Sequence, residues 1–391
     1  MNPSFARAAR SAARTATQRA VQRDRSRSGP IGVRRVRSTR SQGHIRVLRW
    51  SATDRATNST QETRSPIPIS GLEIQLKIAI AQIAPVFLSR DATVSKVVGY
   101  IERAGGQGCG LVVFGETIVP AYPIWLCRTD AARFDADDQK RIHALYLEQA
   151  VSIESGHLDP VRDAAKRAGI AVVLGVAERP ADRGGHTIYC SRVMIDRDGS
   201  ILSVHRKLMP TYEERLSWGI GDGSGLVTHK IGEFTIGGLN CWENWMPLAR
   251  AALYAAGENL HVALWPGAVR MTRDITRFIA RESRSYVVSV GGLLREQDLP
   301  ADMPLRERIA APGETLLNGG SCIAGPDGEW IVEPVANQET MLTADLDIRR
   351  VWEERQNFDP AGHYARPDVL RLTVDRRRQT GAEFLDDTAG S

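Results

Sequence analysis

Gly237-Gly238-Leu239-Asn240-Cys241-Trp242-Glu243-Asn244-Trp245-Met246-Pro247-Leu248 passes from a strand pattern to a helical one within twelve residues. The apolar run Phe234–Leu239 before Asn240 predicts a buried strand. Pro247 then predicts a helix start, with Leu248, Ala251, Ala252 and Ala255 on its inner face and Gly257 as its stop. Cys241 therefore lies on a tight strand-to-helix turn. Helix-start N–H groups aimed at such a side chain favour a thiolate and any anion formed beside it.

Working outward, apolar runs and helical patterns alternate along the chain. Strands are predicted over 77–83, 110–114, 171–176, 261–265 and 286–290, with two more flanking Asp196-Arg197-Asp198-Gly199. Helices are predicted over 92–104, with Val94, Val97, Val98 and Ile101 inward, and over 136–153, 160–168 and 273–284. A polar loop near 296–314 precedes a hairpin of 322–324 with 330–332, turned by Gly325-Pro326-Asp327-Gly328. This alternation indicates α/β layers.

Charge is divided unevenly. Residues 1–70 hold 15 Arg, no Lys and three acids, a balance of +12 that leaves −7 of the total +5 for the rest. Residues 1–72 have almost no aromatic residues and no sustained periodicity, so the reading is a disordered Arg-rich extension. An organellar targeting segment, a nucleic-acid-binding arm and a mis-assigned start are the competing explanations. The acidic remainder argues against nucleic acid as a partner. No apolar run reaches membrane-spanning length. Five scattered cysteines without a Cys-x-x-Cys pair fit a reducing, cytoplasmic setting and give no zinc signature; the eight histidines form no metal cluster.

Three apolar segments end in reactive side chains, Glu116, Lys207 and Cys241. Strand ends are where α/β folds collect their sites. Glu116 sits in Phe114-Gly115-Glu116-Thr117-Ile118-Val119-Pro120-Ala121-Tyr122-Pro123-Ile124-Trp125, a stiff apolar setting that raises a carboxyl towards general-base use. Lys207 opens a long irregular segment reaching Ser224, of the kind that walls a site. Tyr122, Trp125 and Trp242 are the candidates for an apolar substrate pocket, although an indole is more often core.

These three blocks resemble the signature of the nitrilase branch of the carbon–nitrogen hydrolase superfamily, over roughly residues 75–370. The family's Glu-Lys-Cys triad maps in chain order onto Glu116, Lys207 and Cys241, and its auxiliary Glu, in a Pro-Thr-x-x-Glu-Arg motif, onto Glu214. Gly362-His363-Tyr364-Ala365-Arg366-Pro367-Asp368 resembles the family's end-of-domain sequence. The resemblance implies a four-layer α-β-β-α sandwich over 73–370 with a C-terminal tail at 371–391. It also implies hydrolysis of a nitrile to acid and ammonia with no metal or organic cofactor, and homo-oligomers, as dimers or helical filaments. An amidase of the same superfamily is the alternative; Trp242-Glu243-Asn244 and Trp218-Gly219-x-Gly221-Asp222-Gly223 look like nitrilases. The substrate class stays open among aliphatic, arylacetonitrile and aromatic nitriles.

Overall fold

The structure, a computed structural model, describes residues 74–382; the expectation for residues 1–72 lies outside them. Two sheets face each other, and the alternation of side chains along their strands assigns every layer.

The first sheet runs in the order β13-β1-β2-β3-β4-β5. Its strands are β1 (Gln75–Gln82), β2 (Leu111–Phe114), β3 (Ala171–Glu178), β4 (Tyr189–Ile195), β5 (Ile201–Arg206) and β13 (Thr340–Asp347). The central trio β1, β2 and β3 is parallel. The second sheet runs β10-β11-β9-β8-β7-β6, with β12 paired to β11. Its strands are β6 (His229–Ile231), β7 (Phe234–Asn240), β8 (Leu260–Trp265), β9 (Tyr286–Gly291), β10 (Leu293–Arg295), β11 (Thr315–Ala324) and β12 (Trp330–Ala336). Strands β7, β8 and β9 are again parallel.

Ile78 and Ile80 of β1, Val113 of β2 and Val173 of β3 meet Ile236 of β7, Val262 of β8 and Val288 of β9 in one core between the sheets. The intervening residues Ala79, Ala81, Val112 and Val172 face outward, because successive strand side chains point to opposite faces. There they meet helix α1 (Arg90–Gly106), through Val94, Val97 and Ile101, and helix α3 (Asp159–Ala168), through Val161, Ala164 and Ala165. On the far side of the second sheet, Ala263 and Val287 pack on Ile275, Ile279 and Ala280 of α5 (Val269–Ser283). Leu239 of β7 packs on Ala249, Ala252 and Leu253 of α4 (Pro247–Ala255). The order helix, sheet, sheet, helix is the four-layer sandwich expected. Helix α2 (Asp137–Gln149) packs through Ile142 and Tyr146 into a further cluster beside the site.

The expected face of α4 is shifted. Leu248 and Ala255 are exposed, whereas Ala249, Arg250, Ala252, Leu253 and Tyr254 are buried. The cause is a polar anchor: Arg250 turns inward, donates to the carbonyl of Asn244 at 2.7 Å and pairs with Glu282 at 2.7 and 3.1 Å. Strands β6, β10 and β13 and helix α6 (Ile348–Arg355) had no expectation. The segment near 296–314 is less irregular than expected, with short helical turns at Glu296–Asp298 and Arg306–Ile309.

Candidate active site

Each reactive side chain stands just past a strand end: Glu116 and Cys241 past strands with parallel neighbours, Lys207 past an antiparallel edge strand. Glu116 is two residues past β2, Lys207 is the residue after β5, and Cys241 is the residue after β7. All three are buried, as is Glu214.

The backbone is bent to bring them there. Cys241 has φ +52°, Thr117 beside Glu116 has φ +44° and Tyr212 near Glu214 has φ +43°. Left-handed backbone at non-glycine residues costs on the order of 1–3 kcal/mol each and gathers where a site demands it. Close approach matters as well. A Cβ on Gly175 of β3 would lie 2.2 Å from the Gly115 carbonyl oxygen and 2.6 Å from the Thr117 nitrogen, so only glycine lets the Glu116 turn rest on that strand.

The ammonium of Lys207 donates to Glu116 Oε1 at 2.9 Å and to Glu214 Oε2 at 2.7 Å. Cys241 Sγ and one oxygen from each carboxylate all lie within 4.8 Å of one another. Such a spacing can also hold a metal ion, but here the ammonium already bridges both carboxylates. Further donors fix the carboxylates: the Tyr122 hydroxyl and the Thr211 N–H on Glu214, at 2.9 and 2.6 Å, and the Cys190 thiol on Glu116, at 3.2 Å. The Trp218 ring lies 5.3 Å from Lys207 Nζ, the distance of a cation–π contact.

Two carboxylates and one ammonium, all buried, leave a net −1 when both carboxyls are ionised. Burial pushes the Glu116 carboxyl up to about 7, against the pull of Lys207 and with the push of Glu214. Burial alone would lower Lys207, but Glu116, Cys241 and Glu214 hold it well above the ordinary lysine value. Burial and the same two carboxylates raise the Cys241 thiol well above its ordinary value, and Lys207 and the Trp242 N–H oppose this without prevailing. Cys241 is therefore favoured as a thiol, with a carboxylate beside it that can take its proton.

Behind the turn, Glu243 accepts from the N–H groups of Asn240 at 2.8 Å and Leu208 at 2.5 Å, and both its oxygens lie 3.2 Å from His205 Nε2. This carboxylate braces the Cys241 turn against the Lys207 segment.

A cavity of about 870 Å³ opens beside the site, with Met271, Leu316, Arg270 and Arg273 in its wall. Tyr122, Pro266 and Leu317 line both this cavity and a narrow space of about 10 Å³ that reaches Glu116. Tyr122 thus stands at the neck. Trp125 does not line this cavity; it is buried edge-on against Tyr146 at 5.0 Å. Trp242 also lies outside the cavity wall, about half exposed beside Trp245. Nothing local in the sequence marks Cys190, His205 and His261, which meet Glu116, Glu243 and Asn244, residues 74, 38 and 17 positions away. Glu243 and Asn244 belong to the nitrilase-like block after the cysteine, but their structural partners are not legible from it.

Residues 77–356 match the family model described as carbon-nitrogen hydrolase. The chain belongs to the carbon–nitrogen hydrolase family. Among curated carbon–nitrogen hydrolases it is 34% identical to an aliphatic nitrilase of Rhodococcus rhodochrous, over 80% of this chain and 82% of that protein. It is 37% identical to a protein named nitrilase 2 from an unknown prokaryotic organism, over 80% of this chain and 96% of the relative. Its fold is similar to that of a carbon–nitrogen hydrolase from Helicobacter pylori G27, with a TM-score of 0.59 at 19% identity, over 75% of this chain and 96% of the other.

Proposed function

We propose that the protein is a nitrilase that converts a nitrile to a carboxylic acid and ammonia through a covalent Cys241 intermediate. The observation that carries this reading is the cluster of Cys241 Sγ, Glu116 and Glu214 within 4.8 Å, with Lys207 bonded to both carboxylates. A nitrile carbon is a weak electrophile, so a sulfur nucleophile with an adjacent base suits it. Glu116 takes the thiol proton as sulfur attacks the carbon, and returns it to nitrogen to leave a thioimidate. Glu116 then activates a first water, which adds to give a tetrahedral species. Expulsion of ammonia leaves an acyl-thioester, and a second water releases the acid. Lys207 and the Trp242 N–H stabilise the negative charge at the reacting centre, while Glu214 holds Lys207.

The two curated relatives above carry the name nitrilase, and Trp242-Glu243-Asn244 after the cysteine favours nitrile over amide as substrate. We place the protein in the cytoplasm: its five cysteines are unpaired, and among the described residues no helix is long and apolar enough to cross a membrane. We also propose a homo-oligomer, supported by the exposed apolar run Trp242, Trp245, Met246 and Leu248.

A panel of aliphatic, arylacetonitrile and aromatic nitriles, assayed together for acid, amide and ammonia, tests the activity. Acid and ammonia in equal amounts from a nitrile support it. Turnover of amides without turnover of any nitrile would establish the amidase instead.

A further inference from the structure

Three buried side chains lie in line behind the nucleophile turn, and the proposed chemistry uses none of them. The carbonyl oxygen of Cys241 accepts from the Asn244 side-chain amide at 2.8 Å. Asn244 Oδ1 lies 2.8 Å from His261 Nε2, and His261 Nδ1 lies 3.0 Å from both oxygens of Glu258. Asn244, His261 and Glu258 are all fully buried. A Cβ on Gly237 would lie 2.2 Å from Glu258 Oε1, so the strand leading to Cys241 keeps a glycine where this carboxylate sits.

The line has a direction. Asn244 must present its NH₂ to the carbonyl, so its oxygen faces His261 and accepts from Nε2–H. Nδ1 of the same ring then shares a proton with Glu258, which locks the ring in place. On the near side, a trans peptide is planar, with its C=O and N–H pointing opposite ways. Holding the Cys241 carbonyl therefore aims the Trp242 N–H the other way, and that N–H pulls the Cys241 thiol down, the direction expected of a donor on the sulfur side. The turn has φ +52° at Cys241, a conformation that the surrounding structure has to impose.

We infer that Glu258, His261 and Asn244 are positioning residues that set the direction of the Trp242 N–H, the backbone donor to charge developing at the carbon attacked by Cys241. The inference rests on the nucleophilic role of Cys241. Asn244→Leu keeps the volume and removes the donor; His261→Gln perturbs the same line one step further back. Each full-length variant is assayed for kcat and KM on a nitrile, and for inhibition by the aldehyde of the same carbon skeleton, which adds to the thiol as a tetrahedral oxyanion. Melting temperature is followed in parallel.

The expected result for Asn244→Leu is a fall in kcat of roughly 10²–10³, as for loss of one preorganised donor. KM should stay within about threefold, and aldehyde inhibition should weaken by the same factor as kcat/KM. His261→Gln should fall in the same proportion but less far, and it decides the question by the same comparison should Asn244→Leu fail to fold. Aldehyde inhibition unchanged while the melting temperature drops would assign the line a purely structural role and overturn the inference. So would kcat within about threefold of the parent. Cys241→Ala separates the two levels: if it retains activity, the nucleophile assignment itself fails, whatever Asn244→Leu does.

Discussion

The carboxylate of Glu243, two residues after Cys241, accepts the backbone N–H of Leu208, the residue after Lys207, at 2.5 Å. One buried side chain thus joins the nucleophile's turn to the segment that carries the cation. Burial works to raise this carboxyl, but the His205 ring and the N–H groups of Leu208 and Asn240 outweigh it and hold it below the usual carboxylate range. A carboxyl depressed in the folded state stabilises the fold above its unfolded value of about 4.3, and that contribution is lost as pH falls through the folded value. Glu243→Gln should flatten the acid side of the stability curve. At neutral pH it should cost on the order of 1–3 kcal/mol, the usual result of leaving buried donors without their acceptor. Urea unfolding across pH checks both effects.

Glu116 gives an activity profile of its own. The base must be ionised to take the thiol proton, and its carboxyl titrates at about 7. kcat/KM should therefore rise tenfold per pH unit below about 7 and level off above it. A limb centred near 4.5, the ordinary value, would show that Glu116 is not the group being titrated. Glu116→Gln should lower kcat by roughly 10²–10⁴, the range for a lost general base.

Tyr122 acts on the site through Glu214, to which its hydroxyl donates at 2.9 Å. Tyr122→Phe keeps the ring at the neck and removes that donor. A hydrogen bond to a charged group contributes about 1.5–3 kcal/mol, so kcat/KM should fall roughly 10- to 100-fold with every nitrile alike. A loss confined to bulky nitriles would instead assign Tyr122 to shape selection.

The neck between cavity and Glu116 predicts substrate shape. The space beside Glu116, lined by Ile118, Leu294 and Leu317, is about 10 Å³, against about 870 Å³ for the cavity that shares Tyr122, Pro266 and Leu317 with it, so little room is left for branching close to Glu116. Linear nitriles should be preferred over those branched next to the nitrile. Leu317→Ala should shift the ratio of kcat/KM towards the branched ones, by roughly 10-fold if one or two methyl groups gain room. Paired assays of linear and branched isomers measure that ratio.

The parts of this protein legible in its sequence are those whose signal is local. Glu116, Lys207 and Cys241 each close an apolar run, and Glu214 sits three residues after Thr211, with which it forms a reciprocal cap. Strand alternation placed the layers for the same reason. What escaped depends on distant partners. Strand β13 has no apolar run of its own and is defined by its pairing with β1. Asn244 and His261 lie 17 residues apart on separate elements, so neither announces the other. Helix α4 was read one position out of phase because Arg250, a residue expected outside, is held inside by Glu282. The turn shows that an N–H group favours the Cys241 thiolate, but not that burial and two carboxylates outweigh it.

Strand β1 has one flank covered by β2 and the other by β13, with Gln75 opposite Asp347 and Gln82 opposite Thr340. The first strand of the sandwich therefore waits for the last. At a synthesis rate of about 5–20 residues per second, the roughly 260 residues between them take on the order of 13–50 s to emerge. Throughout that interval the nascent chain carries an uncovered edge along Ile78, Ile80 and their neighbours, an invitation to pair with another copy being made nearby. The burden of making this enzyme thus falls on the ribosome's surroundings: yield should depend on chaperone supply and growth temperature well before the stability of the finished fold becomes limiting.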